Sequence, residues 1–324
     1  MKHRPKVFIT RRIPQAGIDL LAEKYEVEVN PHDRVLSRAE LLSAVKTADG
    51  VLCLLTDKID GEFFDAAPQL RGVANYAVGH DNIDVPEASR RMVPVSNTPG
   101  VLTDATSEMA WALLFAVARR VVESDSFMRA GKWAGWGPLQ FIGGDVSGKT
   151  LGVVGTGRIG TAMALKSTGF NMKVVYTDVV ENEVLNEKCK AHRVDFDTLL
   201  AESDFVSIHV PLMDSTRHLF NEETFKKMKS TAYLINTSRG PVINEADLVQ
   251  ALKSGEIAGA GLDVYEAEPE MAAGLAGLKN TVLTPHTASA TEEARTNMAL
   301  KAARNLSAML EGKKPPDCVN PEIL

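Results

Sequence analysis

Cysteine is scarce in this chain of 324 residues: Cys53, Cys189 and Cys318 are odd in number, far apart and never in a CxxC pair. That excludes both a disulfide framework and a cysteine-based zinc site. Cys53, within the apolar run 51–55, reads as a small core residue. No apolar run approaches the roughly 20 residues that span a bilayer, so no membrane partner is expected. Basic runs are missing too, and 36 Lys+Arg against 42 Asp+Glu leave a formal charge of −6. A net acidic chain of this kind is a poor binder of nucleic acid or anionic lipid. The opening MKHRPKVFIT shows no signal-peptide pattern, because Lys6–Thr10 already reads as a strand. The expected compartment is therefore the reducing cytoplasm, where the sequons at Asn236 and Asn305 are chance matches. Internal repeats and low-complexity tracts are also lacking.

What is present is a steady alternation of short β-branched runs with helix-length segments. Strand candidates are Lys6–Thr10, Tyr25–Asn30, Gly50–Leu55, Leu70–Tyr76, Val93–Asn97, Thr150–Gly155, Lys173–Asp178, Asp204–Val210, Thr231–Thr237, Ala258–Val264 and Thr281–Pro285. Helical patterns such as Ala39–Thr47, Asn221–Met228 and Glu245–Ser254 lie between them. This alternation predicts βαβ units, hence an α/β fold of doubly wound parallel sheets. Several of the strands are apolar on both faces, as buried parallel strands are. Eleven strands are too many for one sheet at this length, so two sheets are expected. The longest helical pattern, Thr103–Phe127, separates the two strand groups as a connector or dimer surface. A second, Thr291–Glu311, follows the last strand, and its position suggests that the chain returns to finish its first domain.

Two glycine-rich phosphate-loop patterns compete. GGDVSGKT (143–150) matches the ATPase loop formally, but that loop needs a strand before it and a helix after it, and here Lys149-Thr150 lead into a strand. The second, Gly155-Thr156-Gly157-Arg158-Ile159-Gly160, follows that strand and opens the helical segment Ile159–Thr168. Gly155 permits the tight turn, Gly157 lets backbone approach a pyrophosphate, and Gly160 lets the helix pack on the strand. Asp178 ends the next strand, where a carboxylate accepts hydrogen bonds from the adenosine ribose and repels a 2′-phosphate. No cation follows it directly, only Val179 and Val180. The expected cofactor is NAD(H) rather than NADP(H).

A nicotinamide site needs a proton carrier and a substrate anchor. Arg239, Glu268 and His286 stand at or just beyond the carboxyl ends of successive strands, the edge that lines the ligand crevice of an open parallel sheet. A histidine suits reversible proton transfer to a carbonyl oxygen, and a neighbouring glutamate favours the imidazolium. An arginine holds a carboxylate by a two-pronged hydrogen bond. Taken singly, each also reads as a turn histidine, a surface cation or a solvated acid.

The motifs NYAVGHDNID (75–84), NTPGVLTDAT (97–106), LGVVGTGRIG (151–160), INTSRG (235–240), LDVYEAEP (262–269) and TPHTASAT (284–291) together resemble the D-isomer-specific 2-hydroxyacid dehydrogenase family, above all its glyoxylate/hydroxypyruvate reductases. The resemblance spans essentially the whole chain and puts the family's catalytic Arg, Glu and His on Arg239, Glu268 and His286. It implies two Rossmann-like domains, a catalytic domain over 1–98 plus 289–324 and an inserted NAD-binding domain over 99–288. It further implies that the Val78 and Gly79 amides bind the substrate carboxylate and that Ser289 touches a substrate hydroxyl. Thr237, Ser238, Arg239 and Asp263, with His286, would surround the nicotinamide, and Val210 and Pro211 the adenosine half. The reaction implied is NADH-dependent reduction of a small 2-oxo acid, glyoxylate or hydroxypyruvate, to glycolate or D-glycerate. The assembly implied is a homodimer.

Alternatives within the family are a D-3-phosphoglycerate or D-lactate type of dehydrogenase. The substrate loops hold only Lys58 as a fixed cation, and the chain shows no regulatory domain, so a phosphorylated substrate is disfavoured. Glu268 argues against formate dehydrogenases, which lack the acid. A different class, an NAD-sensing scaffold, would carry added tails that are not seen. Among the other histidines, His80 reads as supporting the catalytic site or as a surface residue, His209 as structural or bordering the cofactor, and His3, His32, His192 and His218 as surface residues with no partner pattern. Trp133 and Trp136, in KWAGWGP, read as pocket, dimer contact or packing.

Overall fold

The structure, a computed structural model, describes residues 4–324. It divides into two compact units, one built from the chain up to Leu102 together with Ala290–Leu324, the other from Thr103–Ser289. His3, read as a surface residue, lies outside the described residues.

In the first unit β1 (Lys6–Ile9), β2 (Glu26–Val29), β3 (Gly50–Cys53), β4 (Val73–Asn75) and β5 (Val95–Ser96) form a parallel sheet in the order β2-β1-β3-β4-β5. The central strand β3, GVLC, is buried at every residue, which accounts for its unbroken apolar sequence. The helix Glu292–Leu310, N-capped by the Thr291 hydroxyl on the Ala294 amide, lays its buried face of Ala299, Ala302, Ala303 and Leu306 against the helix Gln15–Ala22 and strands β3 and β4. The last helix thus completes the first unit.

The second unit holds β6 (Thr150–Val154), β7 (Lys173–Thr177), β8 (His192–Arg193), β9 (Phe205–Ile208), β10 (Tyr233–Asn236), β11 (Gly259–Leu262) and β12 (Thr281–Leu283). All are parallel, in the order β12-β11-β10-β9-β6-β7-β8. The strand order reverses between β6 and β9, and in such sheets ligands bind outside the carboxyl ends at that point. Apolar cores cover both faces: Leu199, Ile208, Phe220, Leu234 and Leu248 on one, Leu113, Leu114, Leu151, Tyr176 and Phe205 on the other.

Every strand candidate contains a strand, and β8 is a twelfth that was not foreseen: two exposed residues at the sheet edge carry no burial pattern. The long helical pattern breaks. One helix runs Thr103–Ala118 and a second Val121–Arg129, with Arg120 between them in the left-handed region at φ 53. The Gly144 amide donates to the Ala118 carbonyl at 2.9 Å, and the Arg120 guanidinium holds Glu123 and lies 5.3 Å from the Phe141 ring. In the helix Val121–Arg129 no residue is buried, so the core-facing stripe ends where the first helix does. The sequon residues Asn236 and Asn305 are buried, their amides donating to the Arg239 carbonyl and to Asp317.

Candidate active site

Residues 155–157 connect β6 to the helix Arg158–Lys166, whose first turn holds 158–160. Gly155 has φ +88, and a Cβ there would lie 2.8 Å from Cγ1 of Val210; a Cβ on Gly160 would lie 2.0 Å from the Gly155 carbonyl oxygen. At Gly157 a Cβ would meet nothing within 4 Å. The turn is closed toward the sheet and open at the helix N-terminus, the form a pyrophosphate requires. Arg158 is exposed and Ile159 half-buried on the first helical turn, and Val210 and Pro211 follow β9.

Asp178 follows β7. Its Oδ2 accepts the Thr156 amide at 2.6 Å and hydroxyl at 3.0 Å, and its Oδ1 accepts the Val179 amide at 2.6 Å. Partial burial pushes this carboxyl up, but those hydrogen bonds outweigh it and hold the group below the usual carboxylate range, so it stays ionised at neutral pH. His209, beyond β9, pairs Nε2 with the Ser207 hydroxyl at 2.8 Å, and burial pushes its pKa down to about 3, leaving a neutral ring beside the glycine turn. Beyond β10 the Thr237 hydroxyl is buried without a hydrogen-bond partner among the described residues. A buried hydroxyl left open at a strand end fits a site completed by a polar ligand.

Arg239, Glu268 and His286 come from the segments after β10, β11 and β12, three neighbours in the sheet. Asn236 shapes the first: its Oδ1 accepts the Ser238 amide at 2.9 Å and hydroxyl at 2.8 Å, and its Nδ2 donates to the Arg239 carbonyl at 2.9 Å. His286 Nδ1 lies 2.9 Å from Oε2 of Glu268, whose Oε1 accepts the Tyr265 amide at 3.1 Å. Burial pushes the Glu268 carboxyl up; the bond and charge of His286, the Tyr265 amide and the Arg239 charge overcome this and hold it below the usual range. An ionised Glu268 only accepts, so Nδ1 carries the proton and Nε2, without a partner among the described residues, is the nitrogen available for chemistry.

Asp263 is fully buried and fastens the histidine segment. Its Oδ1 accepts the Thr284 hydroxyl at 2.5 Å and the Thr287 amide at 2.8 Å, its Oδ2 accepts the Ala288 amide at 2.7 Å, and its carbonyl accepts the His286 amide at 2.9 Å. These bonds hold His286 at φ 54, a conformation unfavourable for a residue with a Cβ. Ser289 is half-buried at the end of this segment.

Val78 and Gly79 lie after β4 in the first unit. Asn97 donates to the Val78 carbonyl at 2.7 Å and Asn75 to the Gly79 carbonyl at 2.9 Å. Both backbone amides are without an acceptor among the described residues, and adjacent free amides form an anion nest. His80 beside them is exposed.

Sequence reasoning missed the three asparagines and the partner of His218. His218 Nε2 lies 2.6 Å from Oε1 of Glu266. Glu266 and the buried Glu245 exchange amide-to-carboxylate bonds of 2.9 and 3.1 Å, which tie the Glu268 segment to the helix Glu245–Ser254. These partners are 21 and 48 residues apart and leave no local signal. For the asparagines the NTS and NYA stretches offered one: a polar residue ending a buried strand has to satisfy itself on the adjoining turn.

A doubly wound sheet with a dinucleotide turn, and a His–Glu pair beside an arginine at its carboxyl edge, is the equipment of a nicotinamide-dependent oxidoreductase. Residues 111–288 match the sequence profile of the D-isomer specific 2-hydroxyacid dehydrogenase, NAD binding domain, and the chain belongs to that family. It is 51% identical over 325 aligned positions to a glyoxylate reductase of Thermococcus litoralis, covering 99% of this chain and 98% of the relative. Among solved structures, a glyoxylate reductase of a Paecilomyces fungus superposes with a TM-score of 0.88 at 31% identity, over 99% of each chain. An NADPH-dependent glyoxylate/hydroxypyruvate reductase of Sinorhizobium meliloti, in complex with citrate, superposes with a TM-score of 0.85 at 30% identity, over 98% of each chain.

Proposed function

We propose that this chain reduces glyoxylate, and hydroxypyruvate with it, to glycolate and D-glycerate, with NADH as the reductant. The observation that carries the reading is the 2.9 Å contact of His286 Nδ1 with Glu268, which leaves Nε2 as the proton donor. Arg239 takes the substrate carboxylate, and its charge polarises the adjoining keto group. A bound nicotinamide supplies the hydride. Protonated His286 gives its Nε2 proton to the keto oxygen, and Glu268 stabilises the imidazolium before transfer. In the oxidative direction neutral His286 takes the proton back.

The residues that would hold the dinucleotide are those of 155–160, Asp178 on the ribose, Val210 and Pro211 on the adenosine half, and Thr237, Ser238 and Asp263 near the nicotinamide. The Thr237 hydroxyl, without a partner among the described residues, supports the last group. Asp178, kept ionised, favours ribose hydroxyls over a 2′-phosphate. A phosphorylated substrate is disfavoured because Lys58, the cation of the substrate loop, is paired with Asp60 at 3.1 Å.

The reading includes a homodimer in the cytoplasm. Val121, Val122, Met128, Trp136, Leu139 and Ile142 are exposed within one short stretch of the second unit, an apolar surface of the kind that partners cover. All three cysteines are free thiols, which suits a reducing compartment. No helix among the described residues is long and apolar enough to cross a membrane. The test is NADH oxidation with glyoxylate, hydroxypyruvate, pyruvate and 3-phosphohydroxypyruvate: fast turnover on the first two supports the reading, and NADH binding with no turnover on any of them overturns it.

A further inference from the structure

The residues directly after Asp178 are valines, and along the chain nothing there could hold a 2′-phosphate. The fold brings one in from the neighbouring strand. β8 pairs with β7 in the register Tyr176↔Arg193, and the Arg193 guanidinium reaches along the sheet to donate from Nη2 to the Val179 carbonyl at 3.3 Å. Val179 is also the residue whose amide donates to Asp178 at 2.6 Å. A carboxylate and a guanidinium therefore hold the two polar ends of one residue at the rim of the dinucleotide turn.

Arg193 is exposed and forms no ion pair among the described residues, so one of its five N–H donors is engaged by the chain. Glu181, the other acid of this turn, accepts from the Asn186 amide at 2.9 Å. A planar, weakly hydrated guanidinium with spare donors matches a phosphate in charge and shape. Rossmann sites that take NADP use an arginine near the ribose acid for this purpose.

We propose that Arg193 is a 2′-phosphate anchor already in place, and that Asp178 is what keeps the site to NADH. The inference rests on the reading above that Asp178 faces the adenosine ribose. With the carboxylate present, its repulsion of a 2′-phosphate opposes the attraction of Arg193. With the carboxylate neutralised, the same site takes the phosphorylated dinucleotide.

The test is binding of NADH and NADPH to the full-length protein at low salt, followed by dinucleotide fluorescence without substrate. Asp178→Asn is expected to weaken NADH about tenfold and to tighten NADPH at least tenfold, the range of charge-assisted hydrogen bonds. Arg193→Ala on that background is expected to abolish the NADPH gain, and Arg193→Lys to keep part of it. No NADPH gain in Asp178→Asn, or a gain that survives Arg193→Ala, overturns the assignment while leaving the NADH reading intact. Wild-type protein that binds neither dinucleotide overturns both. Should Asp178→Asn fail to fold, Arg193→Ala alone gives the answer. NADPH affinity is then expected to fall several-fold more than NADH affinity, and a parallel fall of the two overturns the proposal.

Discussion

Gly240 and Tyr265 meet backbone to backbone: a Cβ on Gly240 would sit 1.8 Å from the Tyr265 carbonyl oxygen. The segment carrying Arg239 and the one carrying Glu268 are thus in direct contact, which only glycine at position 240 allows. Gly240→Ala forces them apart. Overpacking of this kind costs about 1–3 kcal/mol, or several degrees in Tm for a unit of this size. The larger effect is expected on kcat/KM, because Arg239 and Glu268 shift relative to each other. Thermal unfolding and steady-state kinetics on the purified variant check both.

Glu268 sets the pH response. Its carboxyl is held below the usual range, so its contribution through His286 is present above the ordinary carboxylate pKa and is lost as pH falls through the lowered value. In Glu268→Gln no carboxylate is left to titrate beside His286, and the acid-side fall of kcat/KM is displaced. A pH–rate profile for the two proteins measures the displacement; superimposable profiles contradict the pairing.

Asp263→Asn is nearly isosteric, yet an amide cannot accept on both arms from Thr284, Thr287 and Ala288. At least one buried donor is left open, at a cost of about 1–3 kcal/mol. The histidine segment loosens, so kcat is expected to fall along with Tm. Unfolding midpoints and single-turnover rates report the two effects separately.

Substituting Trp136, 84% exposed, together with Leu139 by serine removes apolar surface without disturbing the core. Sedimentation is expected to show a homodimer for the wild type and monomer for the double variant. An unchanged distribution contradicts the assignment of this surface to a second copy.

Much of this was legible in the chain itself. Buried parallel strands such as 50–55 and 204–210 announce themselves as short apolar runs between helices, and the glycine turn is read from its strand–turn–helix context. Arg239, Glu268 and His286 stood out because polar residues just past such strands face the ligand edge. Whatever depends on pairing across long separations was not legible. β8 is too short and too exposed to leave a pattern. The break at Arg120 is made with an amide at position 144, and His218–Glu266 and Arg193–Val179 exist only once the sheet is assembled.

The most direct test of the account compares His286→Gln with the wild type in two assays on the same preparation: glyoxylate-dependent NADH oxidation, and NADH binding in the absence of glyoxylate. Loss of a positioned acid predicts a fall in turnover of about 10²–10⁴-fold, with NADH still bound. Turnover within tenfold of the wild type would contradict His286 as the proton donor, and with it the mechanism built on its contact with Glu268.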